Sequence, residues 1–358
     1  MLVRESSLLL AAFALLGLPL AAAAWRAGAR RSALVAAALG VATLAISLEP
    51  VAQAYRVASS ESVPLSLSGH LSGFSFGTDR YAQTVAYSRP DGDADELRVD
   101  IWQPDDGERT VQKRPAVVVV HGGGWRSGTR SQFARWNEWL AEQGYVVFDI
   151  DYRLAPPANW QTAPADVRCA VGWVKDNANH YDVDPERVAL MGRSAGGQLA
   201  LLTAYTQDAP YSTSSCGAAD ADVAAVAALY SPTDLAGLSR AGYLGGMDTF
   251  LGGGLRTVPE RYRDSSPTSH LDAEDPPTFL AHGGRDQIVP AEQSELLAGR
   301  LQEAGIPHHL VDLPWANHTF DFLWGGWGSQ ITRPTLNEFL ERHLGSPETS
   351  EPQAARDR

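Results

Sequence analysis

Cysteine is nearly absent from this chain. Cys169 and Cys216 are the only two in 358 residues. Neither stands in a CxxC or Cys/His spacing, so no zinc site, and no metal site of any kind, is expected. Positive charge is also scarce: 29 Lys and Arg face 42 Asp and Glu, for a formal net charge of −13. Such a chain offers no broad basic face to a phosphate backbone, which excludes nucleic acid as an expected partner. Charged residues make up only 20% and apolar residues 44%, the balance of a chain with a large core rather than a disordered one. No internal repeat is visible.

The missing charges are concentrated at the N-terminus. Leu8 to Trp25 carries none, Arg26, Arg30 and Arg31 follow, and Ala33 to Leu48 is again uncharged. A helix needs about 20 apolar residues to cross a bilayer, so residues 8–25 and 33–48 are expected to form a transmembrane helical hairpin within residues 1–56. Its arginine-bearing loop belongs in the cytoplasm by the positive-inside rule. Everything after Arg56 is then at the cell membrane on the extracytoplasmic side. A second reading stays open: Arg4, the apolar run and Ala21 to Ala24 have the form of a cleaved secretory signal, which would leave residues 33–48 as a lone span. The two cysteines are either free buried thiols or, in an oxidising compartment, a disulfide.

Residues 57–80, rich in Ser and Gly, are expected to be a linker. Residues 346–358 are expected to be a polar disordered tail. Between them, over 81–345, strands and helices alternate. The β-branched run Ala116 to Val120 and its counterpart Tyr145 to Ile150 suit central strands buried on both faces. Leu97 to Gln103, Val188 to Met191, Val223 to Leu229, Thr278 to Ala281 and His309 to Leu313 are further strand candidates. Ser131 is read as an N-cap before Phe133, Trp136 and Leu140, and Gly144 as the stop of that helix. The alternation predicts an α/β domain with a mostly parallel central sheet and helices on both faces. The stretch Leu235 to His270, Gly-rich and read as irregular, interrupts it and is expected to be a small cap insertion.

Gly192-Arg193-Ser194-Ala195-Gly196 is a G-x-S-x-G sequence after one strand candidate and before a helix-forming run. This is the context of a nucleophile elbow, where glycines permit a tight strand-to-helix turn and expose the serine. His121-Gly122-Gly123-Gly124-Trp125 follows the buried strand Ala116 to Val120, and its glycines let backbone N–H groups approach a ligand oxygen. A serine nucleophile needs a base and an orienting carboxylate, which follow in the order acid, then histidine. Of the histidines downstream, His318 lies in a loop after a strand candidate. His270 is in the insertion, His282 at a strand end, His308 and His309 on a strand and His343 in the last helix. Asp286, directly after Thr278 to Ala281, is the expected acid, with Asp312 as its rival.

Together HGGGW, Asp151-Tyr-Arg-Leu-Ala-Pro156, Asp184 to Gly197, His282 to Pro290 and Asn317-His-Thr-Phe320 resemble the esterase/lipase branch of the α/β-hydrolases. The resemblance is to BD-FAE-like and hormone-sensitive-lipase-like carboxylesterases and covers about Tyr81 to Leu344. Hormone-sensitive-lipase relatives carry an acidic residue before the serine. Here it is Arg193, which favours the BD-FAE-like side. Isoprenylcysteine-methylesterase-like relatives combine membrane segments with such a domain. The resemblance implies an α/β-hydrolase fold and oxyanion donors at the N–H groups of Gly123, Gly124 and Ala195. It gives His121 a structural role and Trp125 and Trp160 a place at the substrate pocket, with a core role as the alternative for either. It also implies a cofactor-free serine carboxylesterase acting on small-molecule esters through an acyl-enzyme. An amidase or peptidase of the same fold, and a catalytically inactive ligand-binding module, are the alternatives. Cys169 and Cys216, on elements flanking the elbow strand, are the candidate disulfide of an exported domain.

Overall fold

A computed structural model describes residues 7–71, 73, 83–90, 96–104, 113–207, 213–218, 220–243 and 246–346. The tail expected over 346–358 lies outside them beyond Ser346, as does 74–80 of the expected linker. In chain order the elements are α1 (Ser7–Arg26), α2 (Arg30–Ser60), α3 (Leu67–Leu71), β1 (Gln83–Ser88), β2 (Leu97–Trp102), β3 (Arg114–Val120), α4 (Ala134–Glu142), β4 (Val146–Ile150), α5 (Thr162–Asp176), β5 (Val183–Arg193), α6 (Ala195–Ala204) and β6 (Ala225–Leu229). They continue with α7 (Leu235–Arg240), α8 (Met247–Leu251), α9 (Pro259–Asp264), β7 (Thr278–Gly283), α10 (Glu292–Ala304), β8 (His308–Leu313) and α11 (Trp327–Leu344).

The eight strands form one sheet in the order β1-β2-β4-β3-β5-β6-β7-β8. β1, β2 and β4 pair antiparallel, whereas β4-β3, β3-β5, β5-β6 and β6-β7 are parallel. Sequence explains the layout. β3, β4, β6 and β7 are buried over their whole lengths, as their predominantly apolar residues allow when helices cover both faces. β1 and β8, the outermost strands, keep partly exposed residues. Each parallel neighbour needs a crossover: α4, α5 and α6 supply those up to β6, and the stretch holding α7, α8 and α9 joins β6 to β7.

Two expectations change in this region. Ser131 does not cap α4, which begins after Phe133 without a side-chain cap. Ser131 instead adopts φ +64°, donates its hydroxyl to Asp100 and its backbone N–H to Asp149. The insertion between β6 and β7 is not irregular. It holds three helices of five or six residues and a 3₁₀ turn at Pro267–Ser269, each too short to show a helical period in sequence. Cys169 on α5 is bonded to Cys216, with Cα atoms 5.5 Å apart, closing a separation of 47 residues.

The chain divides into two compact units. The strands and helices above belong mainly to one. The other comprises residues 1–75, 282–287 and 312–335. In this second unit α1 and α2 are joined by a three-residue turn at Ala27-Gly28-Ala29 and pack along each other. A Cβ on Gly40 would stand 3.3 Å from Leu18, its counterpart across the turn. The pair buries small residues, among them Ala11, Ala14, Ala21 and Ala33. It exposes Phe13, Leu16, Leu20, Leu39 and Ile46. Among the described residues α2 alone is long and apolar enough to cross a membrane, and Leu10–Arg26 is a shorter apolar stretch.

Both helices outrun the expected bounds of 8–25 and 33–48. α2 continues through Glu49 and Pro50 to Ser60. Within 57–80, α3 packs on the start of α11: His70 stacks on Trp327 at 4.0 Å, Ser66 N–H donates to Gln330 at 2.8 Å, and Gly325 N–H donates to the Gly73 carbonyl.

Candidate active site

Ser194 sits between β5 and α6 with φ 53° and ψ −121°, a conformation that costs a non-glycine residue strain and that persists only when its surroundings impose it. They do so by crowding. A Cβ on Gly192 would lie 2.2 Å from the Gly196 carbonyl oxygen, and one on Gly196 would lie 2.3 Å from the carbonyl oxygens of Val120 and His121. The elbow sequence therefore needs glycine at both ends, because β3, β5 and α6 meet there without room for a side chain. Ser194 N–H donates to Leu229 at 2.9 Å, tying the turn to β6.

The HGGGW loop leaves β3 beside this turn. A Cβ on Gly122 would stand 3.4 Å from the Ser194 Cβ. Gly123 and Gly124 have φ of 120° and 60°, and the Gly123 carbonyl accepts from Ser127 N–H and its hydroxyl. Ala195 opens α6, where the first N–H groups of a helix have no intrahelical acceptor. His121 is buried, bonds through Nδ1 to the Gly122 carbonyl at 2.7 Å and stacks on Tyr152 at 4.4 Å. Burial pushes its pKa down, which favours the neutral ring. Trp125 is 2% exposed, stacks on Phe250 of α8 and donates its indole N–H to Gln198 at 2.8 Å. Gln198 in turn donates to the Ser265 carbonyl, so Trp125 fastens the loop to the insertion and α6. Trp160 is half-buried beneath the Arg261 guanidinium, 5.6 Å from its ring.

Arg193 is buried with its guanidinium over Phe133 at 4.3 Å and Trp136 at 5.0 Å. Asp149 lies close enough to feel its charge. Burial nevertheless pushes the Asp149 carboxyl up to about 7, against the hydrogen bonds from Asn137 and Ser131.

In the second unit, Asp286 and His318 come together. Asp286 Oδ2 is 2.6 Å from His318 Nδ1, with no exposed surface on the carboxylate. The loops carrying them are laced by backbone hydrogen bonds from Gly284 to Leu313 and from Arg285 to Ala316, both 2.9 Å. A Cβ on Gly283 would lie 2.5 Å from the Ala316 carbonyl oxygen, which gives the glycines of HGGRD a steric reason. The sequence did not single out His282. Its Nε2 stands 3.3 Å from the same Asp286 oxygen, almost wholly buried. Burial alone would raise the Asp286 carboxyl, but hydrogen bonds from His282 and His318 outweigh it and hold the group at about 2. An ionised carboxylate on Nδ1 leaves Nε2 of His318 as the atom able to take a proton.

The other histidines have structural partners. His270 bonds the Asp264 carbonyl, His308 the Ile306 carbonyl, His309 stacks on Phe279 and His343 lies against Phe339. Asp312 is exposed on β8. Among the described residues no group of three or more His, Cys, Asp or Glu could hold a metal ion.

Residues 99–301 match the BD-FAE family. The chain belongs to that family. It is 32% identical to the probable carboxylic ester hydrolase LipM of Mycobacterium tuberculosis over 69% of this chain and 60% of LipM. It is equally 32% identical to esterase LipC of the same organism, over 65% of this chain and 59% of LipC. The chain thus spans about three fifths of the length of the curated relatives it matches. Esterase 2 of Thermogutta terrifontis, phosphonylated by cyclosarin, superposes with a TM-score of 0.61 at 28% identity, covering 76% of this chain and 98% of that one. The BD-FAE member described here has the α/β-hydrolase sheet of these esterases.

Proposed function

We propose that this BD-FAE protein is a serine carboxylesterase with Ser194 as nucleophile, His318 as base and Asp286 as the acid that orients it. The observation that carries the reading is the Asp286–His318 hydrogen bond of 2.6 Å, formed by two residues that follow the elbow in the order such enzymes require. Ser194 directly follows β5 and Asp286 follows β7 by three residues, so both come after strands of the parallel part of the sheet.

In the proposed cycle His318 takes the Ser194 proton as Oγ attacks the ester carbonyl. The oxyanion is received by the N–H groups of Gly123, Gly124 and Ala195. The alkoxide leaves with the proton from His318, and water repeats the sequence to release the acid. Asp286 stays ionised throughout and stabilises the imidazolium.

The α1–α2 pair is the proposed membrane anchor. Its small residues face inward and its large apolar residues outward, the reverse of a soluble helical pair and the pattern that close packing within lipid favours. The basic loop at Arg26, Arg30 and Arg31 argues for a cytoplasmic turn. The Cys169–Cys216 bond argues for a catalytic domain on the oxidising, extracytoplasmic side.

Turnover of a panel of p-nitrophenyl esters by the wild-type chain and by Ser194→Ala tests the activity. The wild type should hydrolyse at least the short esters and Ser194→Ala should lose that activity by three or more orders of magnitude, ~10³-fold. Equal turnover by both would overturn the assignment.

A further inference from the structure

The anchor and the acid–base pair are parts of one compact unit, residues 1–75, 282–287 and 312–335. The connection can be followed residue by residue. Tyr55 of α2 lies 6.0 Å from Trp327, ring to ring, and Trp327 is fully buried. Next to Trp327, a Cβ on Gly328 would stand 2.6 Å from the Phe320 ring. Phe320 is two residues from His318.

The helix also sets a height. α2 is continuous over 31 residues, and after Arg31 its next charge is Glu49. The stretch from Arg30 to Glu49 rises about 30 Å, the thickness of the hydrocarbon core. Tyr55 is six residues further, about 9 Å beyond that edge, where the headgroup layer of about 5–8 Å ends. With α2 as the anchor, the Tyr55–Trp327 contact would hold the segment bearing His318 at the bilayer surface. Among its described residues the same unit exposes large apolar side chains outside the helical pair: Leu67 at 53%, Leu71 at 60% and Phe322 at 43%. His70 and Gly73, on either side of Leu71, both bond Gly325, three residues after Phe322. These side chains belong to the unit that carries the anchor, and bilayer lipid is the occupant they suit.

We propose that the ester substrate is drawn from the bilayer: a lipid-soluble carboxylic ester, taken at headgroup level where α2 holds the Asp286–His318 pair. This rests on the serine esterase and membrane anchor readings and names the substrate class. The rigid helix replaces diffusion of a sparingly soluble ester through water by lateral diffusion in the plane of the membrane.

The test uses the full chain reconstituted into phosphatidylcholine vesicles with p-nitrophenyl palmitate as probe. The ester is placed either in the enzyme's own vesicles or in separate enzyme-free vesicles at the same total amount. Hydrolysis at least ten times faster from the enzyme's own vesicles is expected, and equal rates from both would overturn the proposal. A seven-residue helical insertion between Gln53 and Ala54 lifts the unit by about 10 Å while nearly keeping the helix face. It should cut palmitate hydrolysis at least tenfold and leave turnover of water-soluble p-nitrophenyl acetate within twofold; unchanged palmitate hydrolysis would count against the proposal. If the insertion variant loses acetate turnover through misfolding, the two-vesicle comparison decides alone. Failure of the esterase reading is separately visible, as an absence of acetate hydrolysis by the wild type.

Discussion

His282 shares with His318 a single acceptor, the Oδ2 oxygen of Asp286, at 3.3 and 2.6 Å respectively. One imidazole is the proposed base. The other, from β7 itself, faces the carboxylate across the start of the HGGRD turn and limits its rotation.

Replacing His282 by Ala should therefore lower kcat by about tenfold with little change in KM, since it loosens the carboxylate rather than the substrate. His282→Gln keeps an N–H donor and should recover most of the loss. A kcat–KM comparison of the two variants on p-nitrophenyl butyrate checks this. Equal losses in both would assign His282 to packing alone.

Asp286→Asn should reduce kcat by about 10³- to 10⁴-fold, because a neutral amide neither fixes the tautomer nor stabilises the imidazolium. The same carboxylate affects stability in a definite direction. Its folded pKa, about 2, lies below the value of an unfolded aspartate. It therefore stabilises the fold above the unfolded pKa of about 4, and the contribution is lost as pH falls from about 4 toward 2. Urea midpoints of wild type and Asp286→Asn should converge as pH drops through that window. A gap that widens there would contradict the assignment.

Gly283→Ala should separate the acid and base loops. The new methyl would meet the Ala316 carbonyl oxygen at 2.5 Å, so backbone must move. Displacements near 1 Å at a catalytic group cost about 10²-fold in rate. A loss in kcat with secondary structure retained by circular dichroism is the expected result.

Cys216→Ser should destabilise the domain that contains α5. Closing 47 residues constrains the unfolded chain by about 4 kcal/mol in the loop-entropy picture. Thermal melts of the variant, and of wild type with reductant, should fall by similar amounts. A wild-type melt unmoved by reductant would mean that the bond does not form.

Local sequence carried much of the candidate site. Ser194 and the HGGGW loop were legible because a strained turn and a close backbone approach leave glycines at fixed spacing, next to strands of unmistakable β-branched composition. Asp286 and His318 were reachable from chain order. His282 was passed over as a strand-end histidine, since sharing an acceptor with a residue 36 positions away leaves no local pattern. Ser131 was misread as a cap because its competing acceptors, Asp100 and Asp149, come from other strands. The helices α7, α8 and α9 are shorter than two turns and produce no period. α3 is held by Gln330, Gly325 and Trp327, all more than 250 positions distant, so its own five residues read as linker.

The central claim is that Ser194 is the nucleophile, and the most direct measurement is mass spectrometry after treatment with a fluorophosphonate. Wild type should gain one phosphonyl adduct, mapped to the peptide containing Ser194. Ser194→Ala should gain none. An adduct on another residue, or undiminished labelling of Ser194→Ala, would contradict the account.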